Sequence, residues 1–319
     1  MSNKNTNIYL DAKTSFLEPV VNQYGGHMVM SNVKKSTRIK YVNIDTRFTE
    51  EYEYSKVYNQ TNTFTINLPE KLCNVKSIRV VTTEIPITFY NFSSALGNNC
   101  FKISNTIGST TNSSHIKIKD GYYTTALALI NELNNYSTSD LSYNFSYNTT
   151  TNSVSFTPQT KLNIDFDTNM GGDFDKYNFR SKLGWSLGFR NQKYGIESPD
   201  TLTPESQINL NTVRYIYLVV DEFSSGFTNS FVCPLNKFLL NKKILARIAI
   251  EPNILPYGLD YLGSIQISNT FNGFLSSDVR YYNGTVDIQK MNIQLVNEYG
   301  QPVYLNGLDF SFLLEVNYE

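Results

Sequence analysis

Toward the C-terminus apolar and polar side chains alternate. Phe310, Phe312, Leu314 and Val316 fall on one face, with Ser311 and Glu315 on the other, the period-two signature of a half-buried strand. This last stretch therefore reads as core. The stretch before it, residues 285–296, alternates too, but its phase changes: Val286 and Ile288 share one parity, and Met291, Ile293 and Leu295 share the other. A phase change of this kind places a bulge near Gln289 or Lys290. With the polar turn between them, residues 287–316 read as a hairpin.

The same pattern occurs upstream. Residues 38–44 are strand-like, and Thr63 to Leu68 alternates until Pro69, where a strand is expected to stop. Residues 75–85 form a β-branched run ended by Pro86, and residues 213–221, 243–250 and 262–267 complete the set. Together with the C-terminal pair these make eight candidate strands. Eight strands separated by turn chemistry and one long excursion fit a two-sheet jelly roll.

The excursion, residues 98–204, reads differently. Short strands are expected at 101–104, 116–119, 142–147, 153–157 and 162–166, around a single helix at about 124–135. Ala126, Leu129, Ile130 and Leu133 recur at helical spacing, Thr124 is placed to cap the start, and Asn134-Asn135 suits the exit. Residues 1–37 carry only isolated hydrophobics such as Leu17, Val20, Val21 and Met28. Such a segment either stays unstructured or orders against a neighbour. The expected fold is mainly β: an eight-stranded jelly-roll sandwich (38–97 and 205–319), a small α+β insertion (98–204) and an extended N-terminal arm (1–37).

Composition agrees with this fold. The 319 residues include 23 Tyr and 20 Phe, flat side chains suited to pleated surfaces. Lys and Arg number 27 against 28 Asp and Glu, so no global field favours a nucleic-acid backbone. No window reaches the roughly 18 apolar residues of a membrane span, and no apolar leader follows Met1, so synthesis in the cytosol is expected. Cys73, Cys100 and Cys233 are odd in number and unpatterned, which suits free buried thiols in a reducing compartment.

Candidate chemistry is sparse. The two histidines, His27 and His115, lie in unlike contexts, and nothing local sets an imidazole beside a nucleophile. The loop carrying Asp165, Asp167, Asn169 and Asp173 has oxygens at calcium-like spacing. Its glycine falls one place late for an EF-hand and the twelfth position is Lys176. A solvated turn is the simpler reading, with calcium as a weak candidate. Glu84, Asp221 and Glu222 flank strand ends, where charge blunts edges as readily as it catalyses. Gly25-Gly26 and Gly171-Gly172 lack the frame of a phosphate loop. No catalytic, cofactor or firm metal residue is assigned, and a non-enzymatic protein is expected. The clusters Tyr52, Tyr54, Tyr58 and Phe174, Tyr177, Phe179 are either core or a stacking surface.

Several segments resemble, in order, the minor capsid and penton-type proteins of nucleocytoplasmic large DNA viruses, the giant viruses. They are residues 41–47 (Tyr-Val-Asn-Ile-Asp-Thr-Arg), 64–69 (Phe-Thr-Ile-Asn-Leu-Pro), 84–90, 120–124 (Asp-Gly-Tyr-Tyr-Thr) with Ile130-Asn131, 183–189 (Leu-Gly-Trp-Ser-Leu-Gly-Phe), 280–284 and the closing hairpin. The resemblance implies a single jelly roll without an active site, placed at capsid vertices or beneath a double-jelly-roll lattice. The implied partners are the major capsid protein and other minor capsid proteins, with possible self-association. The implied location is the virion, assembled in the host cytoplasm. The alternative is a carbohydrate-binding jelly-roll module for host attachment, suggested by the tyrosines and the acidic loop. A hydrolase hidden in a β-fold is a third reading.

Overall fold

The computed structural model describes residues 36–48, 63–107, 110–175, 179–228, 231–235, 238–239, 243–251 and 265–319. In chain order, β1 (Arg38–Asp45) and the long β2 (Thr63–Pro86) precede β3 (Cys100–Ile107), β4 (Thr110–Lys117) and helix α1 (Ala126–Asn134). Next come β5 (Tyr143–Asn148), β6 (Ser153–Pro158), β7 (Leu162–Asp165), helix α2 (Leu183–Leu187) and β8 (Lys193–Ile196). The chain returns through β9 (Tyr215–Asp221), β10 (Pro234–Leu235), β11 (Phe238–Leu239), β12 (Ile244–Ala249) and β13 (Ile265–Asn269). It ends with β14 (Leu275–Ser277), β15 (Arg280–Asn297) and β16 (Ser311–Tyr318). The expected arm, apart from its last two residues, lies outside the described residues, as do His27, Tyr52, Tyr54, Tyr58 and Tyr177.

The protein is mainly β, and the pairings within its sheets are antiparallel. An eight-stranded sheet runs β1-β16-β2-β15-β9-β12-β14, with β13 also paired to β2. Its alternating side chains explain why it curls. Ile44 of β1, Ile78 and Val80 of β2, Leu218 of β9, Ile248 of β12, Ile293 of β15 and Leu314 of β16 share one buried cluster. Strands from both ends of the sheet can reach a common core only if the sheet folds over on itself. β16 is interior to the sheet, between β1 and β2. Phe310, Phe312, Leu314 and Val316 are each at most 3% exposed. On its other face Glu315 pairs with Arg79 at 2.7 Å.

Pro69 does not stop its strand. The segments expected on either side of it, 63–68 and 75–85, are one continuous strand, β2. The register explains the tolerance: Asn67 faces Lys290 while Leu72 faces Ile288, so extra residues of β2 bulge out around Pro69. A residue in a bulge is off the ladder, and its missing N–H costs no pairing. The irregularity read near Gln289 is present, but the extra residues belong to β2, not β15. The eighth strand of the sheet is instead the short β14.

A second core lies under β3, β4, β7 and β8, which form one sheet, and under the β5–β6 hairpin. It is aromatic: Phe101, Tyr143, Phe145, Phe156, Phe166 and Phe189 are all buried, with Phe101 edge-on to Phe145 and Phe166 stacked on Phe189. α1 buries the four residues its spacing picked out, Ala126, Leu129, Ile130 and Leu133. Its cap is Thr125 rather than Thr124, the Thr125 hydroxyl accepting from the Ala128 N–H at 3.2 Å. Asn134 locks the helix exit to β5 by exchanging two hydrogen bonds with the Phe145 backbone, at 2.7 and 2.8 Å.

The segment 183–189 contains a second helix, α2, where only one helix was expected. Five residues are too few to display a helical period. Gly188 ends it at φ +104°, where a Cβ would lie 2.1 Å from the Ser206 carbonyl oxygen. Asn91 ties the segments that cross between the cores. Its amide donates to the Tyr123 and Leu210 carbonyls and accepts from the Tyr123 N–H, at 2.9 to 3.1 Å.

Candidate functional site

The acidic loop follows β7, where the chain leaves the second sheet. Lys193 on the neighbouring β8 reaches across it, its ammonium 2.8 Å from Asp165 and 3.7 Å from Asp167. Asp167 is wholly buried, and neither of its oxygens accepts an ordinary hydrogen bond among the described residues. Burial, and then the adjoining Asp165 carboxylate, push the Asp167 carboxyl up to about 7. Burial also raises Asp165, but hydrogen bonds from Asp167 and Lys193 outweigh it and hold Asp165 below the usual carboxylate range. Asp165 thus ionises before Asp167.

Asn169 and Asp173 do not join that pair. The Asn169 side-chain oxygen accepts from the Gly171 and Asp173 N–H groups, at 2.8 and 3.0 Å, which builds the turn itself. Asp175 is held by Lys182 at 2.8 Å. Among the described residues, no group of three or more His, Cys, Asp or Glu side chains converges as a metal-ligand set. The loop therefore brings Asp165 and Asp167 together around an ammonium, builds its turn on the Asn169 oxygen and pairs Asp175 with Lys182.

Of the remaining candidates, the three carboxylates Glu84, Asp221 and Glu222 are paired within the fold. His115 is half-buried, its Nε2 has no hydrogen-bond partner among the described residues, and burial holds its pKa below the usual value. Glu84 accepts from the Ser311 hydroxyl at 3.0 Å, and Asp221 pairs with Lys243 at 2.6 Å. Glu222 is buried against Arg280 at 2.8 Å. Cys100 and Cys233 are buried free thiols, but Cys73 is exposed, against the expectation of three buried ones. It lies where the register of β2 against β15 shifts.

Of the aromatic clusters, Phe174 is exposed, while Phe179 packs edge-on to Trp185 at 5.8 Å. The larger apolar surface was not read from sequence. Ile39 and Tyr41 of β1, Phe48 just beyond it, Tyr281 of β15, and Ile265, Ile267 and Phe271 at β13 and its following turn are all exposed. β13 is turned inside out: Gln266 and Ser268 are buried while Ile265 and Ile267 face solvent. Gln266 makes this tolerable by donating to the Ala249 carbonyl and the Ser268 hydroxyl, at 2.7 and 2.8 Å, and accepting from the Glu251 N–H at 2.9 Å. Alternation alone, Ile-Gln-Ile-Ser, points the isoleucines inward.

No family model and no curated protein matches the chain. Among solved structures it is similar to the selenomethionine-labelled mavirus penton protein, at 10% identity and a TM-score of 0.42, covering 88% of this chain and 100% of that one. It is also similar to a chain of the Sputnik virophage structure from electron cryomicroscopy, at 14% identity and a TM-score of 0.35, covering 88% of this chain and 98% of that one.

Proposed function

We propose that the chain is a non-enzymatic structural protein of an icosahedral capsid, of minor capsid or penton type, that links or cements capsomers of the major capsid protein. One observation carries this reading. Several of the segments that resemble such proteins, scattered along the sequence, are brought together by strand pairing. Residues 41–45 of the first segment lie antiparallel to the last, with Tyr41 opposite Glu315 and Ile44 opposite Phe312. Residues 64–69 and 280–284 lie in the adjoining β2 and β15, and residues 183–189 carry α2 into the second core.

The physical task of such a protein is to hold position with a rigid core and to bind through edges and exposed side chains. Among the described residues β1 is an end strand of the sheet, and Ile39, Tyr41 and Phe48 on and just beyond it stand exposed. With 27 basic against 28 acidic residues, recognition rests on shape and apolar anchors more than on steering charge. The test is cross-linking mass spectrometry on purified virions across a salt series. Salt-resistant links from β1 to the major capsid protein are expected. Absence of the chain from virions, or links confined to genome-bound proteins, overturns the reading.

A further inference from the structure

Near the crossing between the two cores, the protein encloses a cleft of about 200 Å³ whose lining includes Arg180, Arg190, Arg214, Trp185, Glu298 and Tyr299. The Arg180 and Arg190 guanidiniums lie 5.4 and 4.0 Å from the centre of the Trp185 ring. Arg190 is tethered, donating to the Trp185 and Phe189 carbonyls at 3.0 and 3.1 Å. Arg180 and Arg214 form no ion pair with a described carboxylate.

Among the described residues, Glu298 is the only acidic side chain lining the cleft. It is 9% exposed, and its buried Oε2 has no hydrogen-bond partner among the described residues. Burial pushes its carboxyl up, against backbone hydrogen bonds from Glu298 and Arg214 and the pull of Arg214 and Arg247. Burial also raises the Tyr299 hydroxyl, against the pull of Arg214 and Arg180. Two guanidiniums without an ion pair among the described residues, a tethered third and a carboxyl with one unpartnered oxygen thus line one concave place. A guanidinium presents a planar fork of donors that matches paired oxygens on a single centre.

We propose that this cleft is an oxoanion site, in which Arg180 and Arg214 grip the ligand beside Trp185. The same chemistry is offered by free phosphate and by the carboxylate of an acidic peptide segment. Trp185 is the single tryptophan of the chain, so its emission reports on this cleft alone.

The full chain should be titrated with potassium phosphate and, separately, with acetyl-Asp-Asp-amide, each against potassium chloride at matched ionic strength. A saturable change in Trp185 emission is expected with at least one probe, weakened at least tenfold in Arg214→Gln and in Arg180→Gln and unchanged in Arg38→Gln. Tighter binding of the peptide identifies an acidic segment as the source of the anion; tighter binding of phosphate identifies the free ion. If Arg214→Gln does not melt as the unsubstituted chain does, Arg180→Gln supplies the comparison. Absence of a saturable signal and of calorimetric heat with both probes overturns the proposal, as does unweakened binding in a folded variant.

Discussion

Thr46 and Phe310, 264 positions apart, exchange two hydrogen bonds: the Thr46 N–H donates to the Phe310 carbonyl at 3.1 Å, and the Phe310 N–H donates to the Thr46 hydroxyl at 3.0 Å. The same hydroxyl donates to Asp309 at 2.7 Å. The end of β1 is thereby clamped to the start of β16. Thr46→Val keeps the shape and removes the hydroxyl, leaving the buried Phe310 N–H without its acceptor. A loss of about 1–3 kcal/mol is expected, read as a lower urea midpoint with an unchanged slope.

Deleting residues 308–319 should abolish cooperative folding. β16 is interior to the sheet, so its loss strips β1 and β2 of a shared partner. It also removes Phe310, Phe312, Leu314 and Val316 from the core, at roughly 1.5–3 kcal/mol for each large apolar side chain. Their sum rivals the whole stability of a domain, about 5–15 kcal/mol. A soluble truncated chain with a cooperative melting transition would contradict this.

The Arg280–Glu222 pair is buried on both sides, and Arg280 also donates to the Val220, Lys243 and Ile244 carbonyls at 2.8 to 3.2 Å. Glu222→Leu leaves a buried guanidinium without its counter-charge and should cost about 3–5 kcal/mol. Arg280→Met together with Glu222→Leu should recover part of that loss, because no lone charge then remains inside. A double-mutant cycle by chemical denaturation measures the coupling.

Asp167 should make stability fall as pH rises. Its carboxyl titrates near 7 in the folded chain, against an ordinary value of 3.8. Between those two values the folded state keeps a proton that the unfolded state has released, so stability is present at low pH and drains away toward pH 7. Asp165, shifted downward, adds its opposite slope only below the usual carboxylate range. Asp167→Asn mimics the protonated form at every pH. It should leave stability little changed at pH 4 and raise it by about 1–3 kcal/mol at pH 8, measured by melting at the two values.

Gly188 should resist substitution. It combines φ +104° with a Cβ position 2.1 Å from the Ser206 carbonyl oxygen. Gly188→Ala then strains the backbone and displaces the segment that lies against it, costing about 1–3 kcal/mol. Gly273 also has a positive φ but meets nothing within 4 Å of its Cβ position. Gly273→Ala should therefore cost less in the same melting assay.

The period of the hydrophobic pattern determined the elements by itself wherever one face of a strand or helix meets a core and the other meets water. Phe312, Leu314 and Val316, and Leu129, Ile130 and Leu133, lie buried as their spacing requires. Local pattern could not decide what depends on partners distant in the chain. Pro69 continues a strand because the β15 register leaves it in a bulge. Ile265 and Ile267 face outward because Gln266 finds inward hydrogen-bond partners at Ala249 and Glu251. The candidate site follows the same division. Acidic spacing marked Asp165 and Asp167 on the page, but the ammonium between them comes from β8. Arg180, Arg214 and Glu298, from three separate segments, carry no common local signal. Burial and pairing are properties of surfaces brought together by folding, and only the tertiary structure sets which charges end up facing one another.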